Sequence, residues 1–102
     1  MNRGEVWTAS VGRKRRPVLV LTRTEVLDVR ALVTVAEIST VRRGLASEVD
    51  LDHTAVGLAQ ESVVNCDGIH TIPRSALTGP VGAVDPTTRA RVCAATAYAI
   101  GC

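Results

Sequence analysis

The sequence predicts a mainly β domain of α+β type, in which a small curled sheet or barrel is covered by one helix. Three observations support this prediction. Short segments rich in β-branched residues recur between turn signals, as in small β domains. One amphipathic segment near the end of the chain has a clear helix start. The length of 102 residues suits one modest core, so we expect a single domain over residues 1–102.

The expected strands follow from alternation or from β-branched runs. They cover residues 5–11, 17–22, 32–39, 47–51, 62–66 resumed at 69–72 after Asp67-Gly68, and 79–84. A glycine inside a strand pattern indicates a bulge or bend. Residues 24–30 fit either a short helical turn or an irregular crossing, and residues 73–77 fit one helical turn.

The expected helix starts at Asp85-Pro86, a carboxylate at the N-cap followed by proline at the first helical position. Gly101 is suited to end it. Its apolar stripe predicts a face that packs on the sheet, and consists of Val92, Cys93, Thr96, Ala99 and Ile100.

Composition narrows the function classes. The only aromatic residues are Trp7 and Tyr98, which disfavours a single-strand binder that works by base stacking. The three cysteines form no CxxC pair, which argues against a zinc site and against a disulfide scaffold. With no secretory leader pattern and no apolar run of membrane-spanning length, we expect a cytoplasmic protein without a membrane partner.

The most distinctive segment is a run of four cations, residues 13–16, which ends at Pro17 and an apolar strand. We expect Arg13, Lys14 and Arg15 to lie on a wet, mobile loop, because adjacent like charges repel. Arg16, in contrast, is attached to the rigid strand, as a binding or catalytic arginine requires. Residues 42–43 form a second cationic pair.

Several segments together resemble the MazF/PemK family of toxin–antitoxin ribonucleases. The cationic loop and the Arg-Pro-Val-Leu-Val strand carry the first likeness, and four further motifs follow the family's order. These motifs are RGEVW at 3–7, VAEIST at 35–40, SVVNCD at 62–67 followed by HTI at 70–72, and the closing Leu77…Gly82…Val84 pattern before the helix. The resemblance covers nearly the whole chain.

The resemblance implies an SH3-like barrel with a C-terminal helix, usually as a homodimer. It implies sequence-selective cleavage of single-stranded RNA without a metal or other cofactor, and neutralisation by a cognate MazE-like antitoxin. The family's catalytic arginine and threonine correspond to Arg16 and Ser39. Serine keeps the hydroxyl, although Thr40 beside it is an alternative. Asn65 replaces an arginine of the PemK branch, whereas Asp67 keeps its carboxylate.

Such cleavage needs a cation that stabilises the negative charge on the phosphate, and it needs two proton transfers. A guanidinium suits the first task, because it binds two oxygens and keeps its charge. For the base, Glu37, Asp67 and His70 all remain open. We expect further RNA contacts from phosphate-binding cations and from side chains that read unstacked bases, namely Arg13, Lys14, Arg15, Thr40, Asn65, Asp67 and His70.

Two other functions fit parts of the sequence. CcdB-type toxins share the same barrel and poison DNA gyrase by protein contact without an active site. The second alternative is a relative of the nuclease family that binds RNA but does not cleave it. The cationic loop and Arg16-Pro17 favour the nuclease, because gyrase poisoning does not need a cation beside a hydroxyl.

Overall fold

The computed structural model describes residues 1–11 and 13–102. The strands are β1 (Glu5–Val11), β2 (Lys14–Val20), β3 (Leu32–Ser39), β4 (Glu48–Leu51), β5 (Ser62–Pro73) and β6 (Leu77–Ala83). The helices are α1 (Thr24–Leu27) and α2 (Pro86–Ile100), and a single 3-10 turn covers Arg74–Ala76. The mainly β architecture with a C-terminal helix is confirmed. In the described part of the chain, no helix has the length and hydropathy needed to span a membrane.

The strands form one antiparallel sheet in the order β4-β5-β3-β2-β1-β6. Its two edge strands are linked through the β4–β5 loop, which packs on β6. A Cβ on Gly57 would lie 2.8 Å from the Val81 carbonyl oxygen, and one on Gly82 would lie 2.8 Å from the Val56 carbonyl carbon. Only glycine permits this close approach, which curls the sheet.

Each face of the sheet carries its own hydrophobic cluster. One cluster lies under α2 and includes Leu19, Ile38 and Val92. The other lies on the opposite face under α1 and includes Val18, Val20 and Leu27. β2 is therefore covered on both faces, as the unbroken apolar run within it predicts.

The expected loop is wrong for Lys14 and Arg15, which lie in a strand, whereas Arg13 lies in the β1–β2 turn. β2 begins at Lys14 rather than at Pro17, and Lys14, Arg15 and Arg16 pair with Val11, Ser10 and Ala9 of β1. The three cations are exposed, so their charges stay hydrated while the backbone completes a hairpin ladder. Gly12, also placed in the predicted loop, lies outside the described residues.

β5 is continuous across the predicted interruption. The register with β3 shifts there: Ala36 pairs with Ile69, whereas Glu37 pairs with Asn65. Residues 66–68 are therefore accommodated as a bulge, the form that a glycine in this strand predicts.

Helix α2 has the expected caps. The Asp85 side chain accepts from the Thr88 N–H at 2.7 Å, and Gly101 ends the helix with φ of 81°. The buried face is rotated from the predicted stripe, with Val92 and Ala95 buried and Ala99 packed beside them. Cys93 and Ile100 are exposed, because α2 lies mainly over β4 and β5 and leaves that side uncovered.

Leu19→Ala tests how far the stability of the fold depends on the packing of β2. Leu19 is 1% exposed in the cluster under α2, so the cavity should lower the free energy of unfolding by about 2–5 kcal/mol. Urea denaturation measures the change. The matched control is Leu45→Ala, at a residue 48% exposed, with an expected loss of about 0.5 kcal/mol or less. Equal losses in both variants would contradict the account.

Candidate active site

A cleft of about 700 Å³ lies at one end of the α1-side face of the sheet. Strand register explains which side chains meet there. Val18 of β2 pairs with Glu37 of β3, so extending the same antiparallel register by two residues places Arg16 opposite Ser39. Since residues two apart share a face, both side chains lie on the face that carries Val18. Both line the cleft.

The same register brings part of β5 to the cleft. Asn65 pairs with Glu37, and His70 pairs with Val35. Polar side chains from three strands and one loop thus line a single cavity: Lys14, Arg16, Glu37, Ser39, Arg43, Asn65 and His70. Five of the predicted site residues are brought together here, namely Arg16, Ser39, Lys14, Asn65 and His70.

Arg16 is an exposed cation without a carboxylate partner among the described residues. The ion pairs found there join Arg42 to Asp50 at 2.9 Å and His70 to Glu37 at 3.0 Å. The guanidinium of Arg16 therefore keeps its charge and its donors for a ligand.

The Ser39 hydroxyl is fixed by the backbone of the following turn. Its Oγ accepts from the Val41 N–H at 3.0 Å, whereas its distance to the Val41 carbonyl oxygen is a long 3.5 Å. The oxygen is thus held in place while its proton remains available to a better acceptor. Thr40, the alternative hydroxyl, is exposed beside a separate small hollow with Arg42 and Glu61.

Glu37 and His70 form a contact inside the cleft, with Nε2 of His70 3.0 Å from Oε1 of Glu37. The bulge in β5 makes room for this carboxylate. A Cβ on Gly68 would lie 2.9 Å from Cδ of Glu37, so any larger residue would displace the carboxylate.

The remaining predicted residues lie outside the cleft lining. Asp67 is exposed and accepts a short hydrogen bond from the Ser47 hydroxyl, while its N–H donates to Asn65 Oδ1 at 3.1 Å. Arg13 lies in the β1–β2 turn, and Arg15 alternates with Lys14 and Arg16 along β2. The RNA-binding roles of Asp67, Arg13, Arg15 and Thr40 stay predictions.

Arg43 belongs to the cleft, although the sequence did not distinguish it from Arg42. Its N–H donates to Glu48 Oε1 at 2.9 Å, and the Leu45 N–H donates to the same oxygen at 3.2 Å. Desolvation raises the pKa of Glu48, but these backbone hydrogen bonds outweigh it and hold the pKa below its ordinary value. Glu48 thus anchors the loop that carries Arg43.

Among residues 1–11 and 13–102, no group of three or more His, Cys, Asp or Glu side chains is placed to hold a metal ion. The charged groups that the described cleft offers a ligand are Lys14, Arg16, Glu37 and Arg43, with His70 as an ionisable neighbour.

The fold is that of a toxin family. Residues 2–100 match the family described as "PemK-like, MazF-like toxin of type II toxin-antitoxin system". The chain belongs to this family. The resemblance found in the sequence is thereby confirmed.

Individual relatives support the family assignment. The chain is 38% identical over 102 residues to "Probable endoribonuclease MazF2" of Mycobacterium tuberculosis, covering 100% of both chains. Its fold matches a solved Mycobacterium tuberculosis toxin MazF-mt6 with a TM-score of 0.89, at 39% identity over 95% of this chain and 96% of that one.

A second solved structure shows a relative bound to a protein. It is an endoribonuclease in complex with its cognate antitoxin from a mycobacterial species, with a TM-score of 0.90 at 26% identity over 99% of this chain and 95% of that one. The expected enzyme class, an endoribonuclease, is the one these relatives carry. The CcdB-like alternative is not favoured.

Glu48→Gln tests the anchor of the Arg43 loop. A carboxylate whose folded pKa is lowered stabilises the fold at neutral pH, and this contribution is lost as pH falls from its ordinary 4.5 through the folded value. Compared with wild type, the variant should therefore be less stable at pH 7, and the difference should shrink below pH 4.5. Denaturant titrations at several pH values measure this.

The control is Glu61→Gln, which removes an exposed carboxylate with no side-chain hydrogen bond within the described part of the chain. A pH-independent deficit in Glu48→Gln, equal to that of the control, would contradict the anchoring role.

Proposed function

We propose that the chain is a sequence-selective endoribonuclease that cleaves single-stranded RNA without a metal, with Arg16 and Ser39 as its catalytic residues. One observation carries the proposal: Arg16, which has no carboxylate partner in the described part of the chain, lines the same cleft as the fixed hydroxyl of Ser39. The family and the endoribonuclease relatives supply the substrate class.

In the proposed reaction the 2′-hydroxyl of the RNA attacks the adjacent phosphorus. The bond from the 2′-oxygen to phosphorus forms and the bond to the 5′-oxygen breaks, which gives a cyclic phosphate and a free 5′-hydroxyl. Arg16 binds two phosphoryl oxygens and stabilises the charge that grows on them. Ser39 donates a further hydrogen bond to the same phosphate from its turn-fixed oxygen.

Other cleft residues bind the flanking RNA. Lys14 and Arg43 also line the cleft, and these cations suit contacts with neighbouring phosphates. Asn65 and His70 of β5 suit contacts with unstacked bases or sugars. Arg13, Arg15, Thr40 and Asp67 do not line the cleft, and they are proposed as further RNA contacts outside it.

We also propose a homodimer and a MazE-like antitoxin as protein partners. The solved complex of a mycobacterial endoribonuclease with its antitoxin supports the second partner. An acidic, partly disordered segment would complement the cationic cleft that Lys14, Arg16 and Arg43 supply. Exposed Tyr98 and Ile100 on α2 are suited to contact with a second copy. Because the substrate is RNA, we place the activity in the cytoplasm.

Arg16→Ala tests the proposed chemistry. Removing the charged donor should lower kcat on an RNA oligonucleotide by a factor of about 10²–10³, because the growing phosphate charge loses its main partner. Single-turnover cleavage of labelled RNA in excess chelator measures the rate. Wild type should remain active under these conditions.

The control is Arg91→Ala, which removes an exposed arginine of α2 that does not line the cleft. Its cleavage rate should match wild type. Full activity of Arg16→Ala, or complete loss of wild-type activity in chelator, would overturn the proposal.

A further inference from the structure

We propose that Glu37 and His70 form the proton-transfer pair of this site, with His70 as general base and Glu37 as its positioning residue. This inference rests on the proposed function and assigns the base that the sequence left open among Glu37, Asp67 and His70. It starts from the 3.0 Å contact between Nε2 of His70 and Oε1 of Glu37 inside the cleft.

The contact fixes the protonation pattern of the imidazole. An ionised carboxylate only accepts hydrogen bonds, so Nε2 must carry the proton that it donates to Glu37. In the neutral ring, Nδ1 then carries the lone pair and can accept a proton. A carboxylate that holds an imidazole in one tautomer also stabilises the imidazolium formed after proton transfer.

The strand register places Glu37 near Ser39, and His70, which lies opposite Val35, reaches Glu37 from β5. Glu37 precedes Ser39 by two residues on the same face of β3, a separation of about 7 Å along the strand. His70 comes from the neighbouring strand β5, and its side chain is 52% exposed, so a ribose can reach it. Because Arg16, Ser39 and His70 line one cleft, the proposed arrangement holds the phosphate at Arg16 and Ser39 with its attacking 2′-oxygen toward β5, where Nδ1 accepts the proton.

The proposed step balances as follows. Nδ1 of His70 takes the proton from the 2′-hydroxyl as the 2′-oxygen forms its bond to phosphorus. The bond from phosphorus to the 5′-oxygen breaks, and water supplies the proton to that oxygen. The imidazolium then returns its proton to water, which restores the neutral ring.

The other two candidates fit this role less well. Asp67 does not line the cleft, and its carboxylate is bonded to the Ser47 hydroxyl. Glu37 faces Gly68 and His70 with its two oxygens, so its position serves the imidazole. Gly68 leaves the space for this carboxylate, which no residue with a Cβ would do.

His70→Ala tests the assignment in the full-length protein. The variant should lower kcat by a factor of about 10²–10⁴ and change KM little, because a general base acts on the chemical step. The wild-type rate should rise with pH, because only a deprotonated base can accept the proton, and the variant should lose that rise. The other charged groups lining the cleft, Lys14, Arg16, Glu37 and Arg43, remain in both proteins. Added imidazole should restore part of the rate.

Two further variants make the test specific. His53→Ala removes the chain's other histidine, which lies in the β4–β5 loop and does not line the cleft, and it should behave as wild type. Glu37→Gln should lower kcat with an altered pH profile, and Glu37→Asp should recover part of the loss. Circular dichroism of each variant confirms folding.

The outcomes separate this inference from the function on which it rests. If wild type cleaves RNA and Arg16→Ala does not, the proposed function holds. If His70→Ala then keeps the wild-type pH rise, or changes only KM or the cleaved sequence, His70 is not the base and the inference is overturned. If wild type leaves RNA intact, the proposed function itself fails.

Discussion

The pairing of β2 with β3 is the constraint on which the site depends. Val18 lies opposite Glu37, and this register alone determines that Arg16 and Ser39 share a face and an end of the sheet. A slip of β2 by one residue would turn Arg16 to the face opposite the one that carries Ser39. Such a slip is costly because Val18, Leu19 and Val20 are all buried, in clusters on both faces. The two cores therefore hold Arg16 and Ser39 on one face of the sheet.

Around the cleft, some charged side chains are engaged in ion pairs, whereas Arg16 is not engaged in one with any described residue. Arg42 is paired with Asp50, and Glu37 is paired with His70, whereas Arg16 has no carboxylate partner in the described residues. Two of the cleft cations lie close together on β2, where like charges repel. A bound polyanion would relieve that repulsion and would gain charge-assisted hydrogen bonds. The proposed RNA substrate would supply such a polyanion.

Local signals predicted much of the fold. The β-branched run of β3 and the Asp85-Pro86 start and Gly101 end of α2 were confirmed at their bounds, because each depends on neighbouring residues. The extension of β2 to Lys14 was missed, since pairing with β1 overrides the repulsion of adjacent cations. Arg16 and Ser39 came from family resemblance and now lie in one cleft.

The sequence predicted Asn65 and His70 of β5 as site residues, but it could not separate them from Asp67, which does not line the cleft, and it did not distinguish Arg43 in the β3–β4 loop. The position of His70 depends on the bulge at residues 66–68, which resets the register with β3. The separation of Arg43 from Arg42 depends on Glu48 and Asp50, which bind one residue each. Both are long-range effects that spacing along the chain does not encode.

The most direct test of the central claim uses RNA oligonucleotides that carry a single 2′-deoxy substitution at the cleaved position. If a guanidinium holds the phosphate while the ribose supplies the nucleophile, the wild-type protein should bind this oligonucleotide but leave it intact, and should cleave the unmodified RNA to a cyclic phosphate. Cleavage of both oligonucleotides at equal rates would contradict the account.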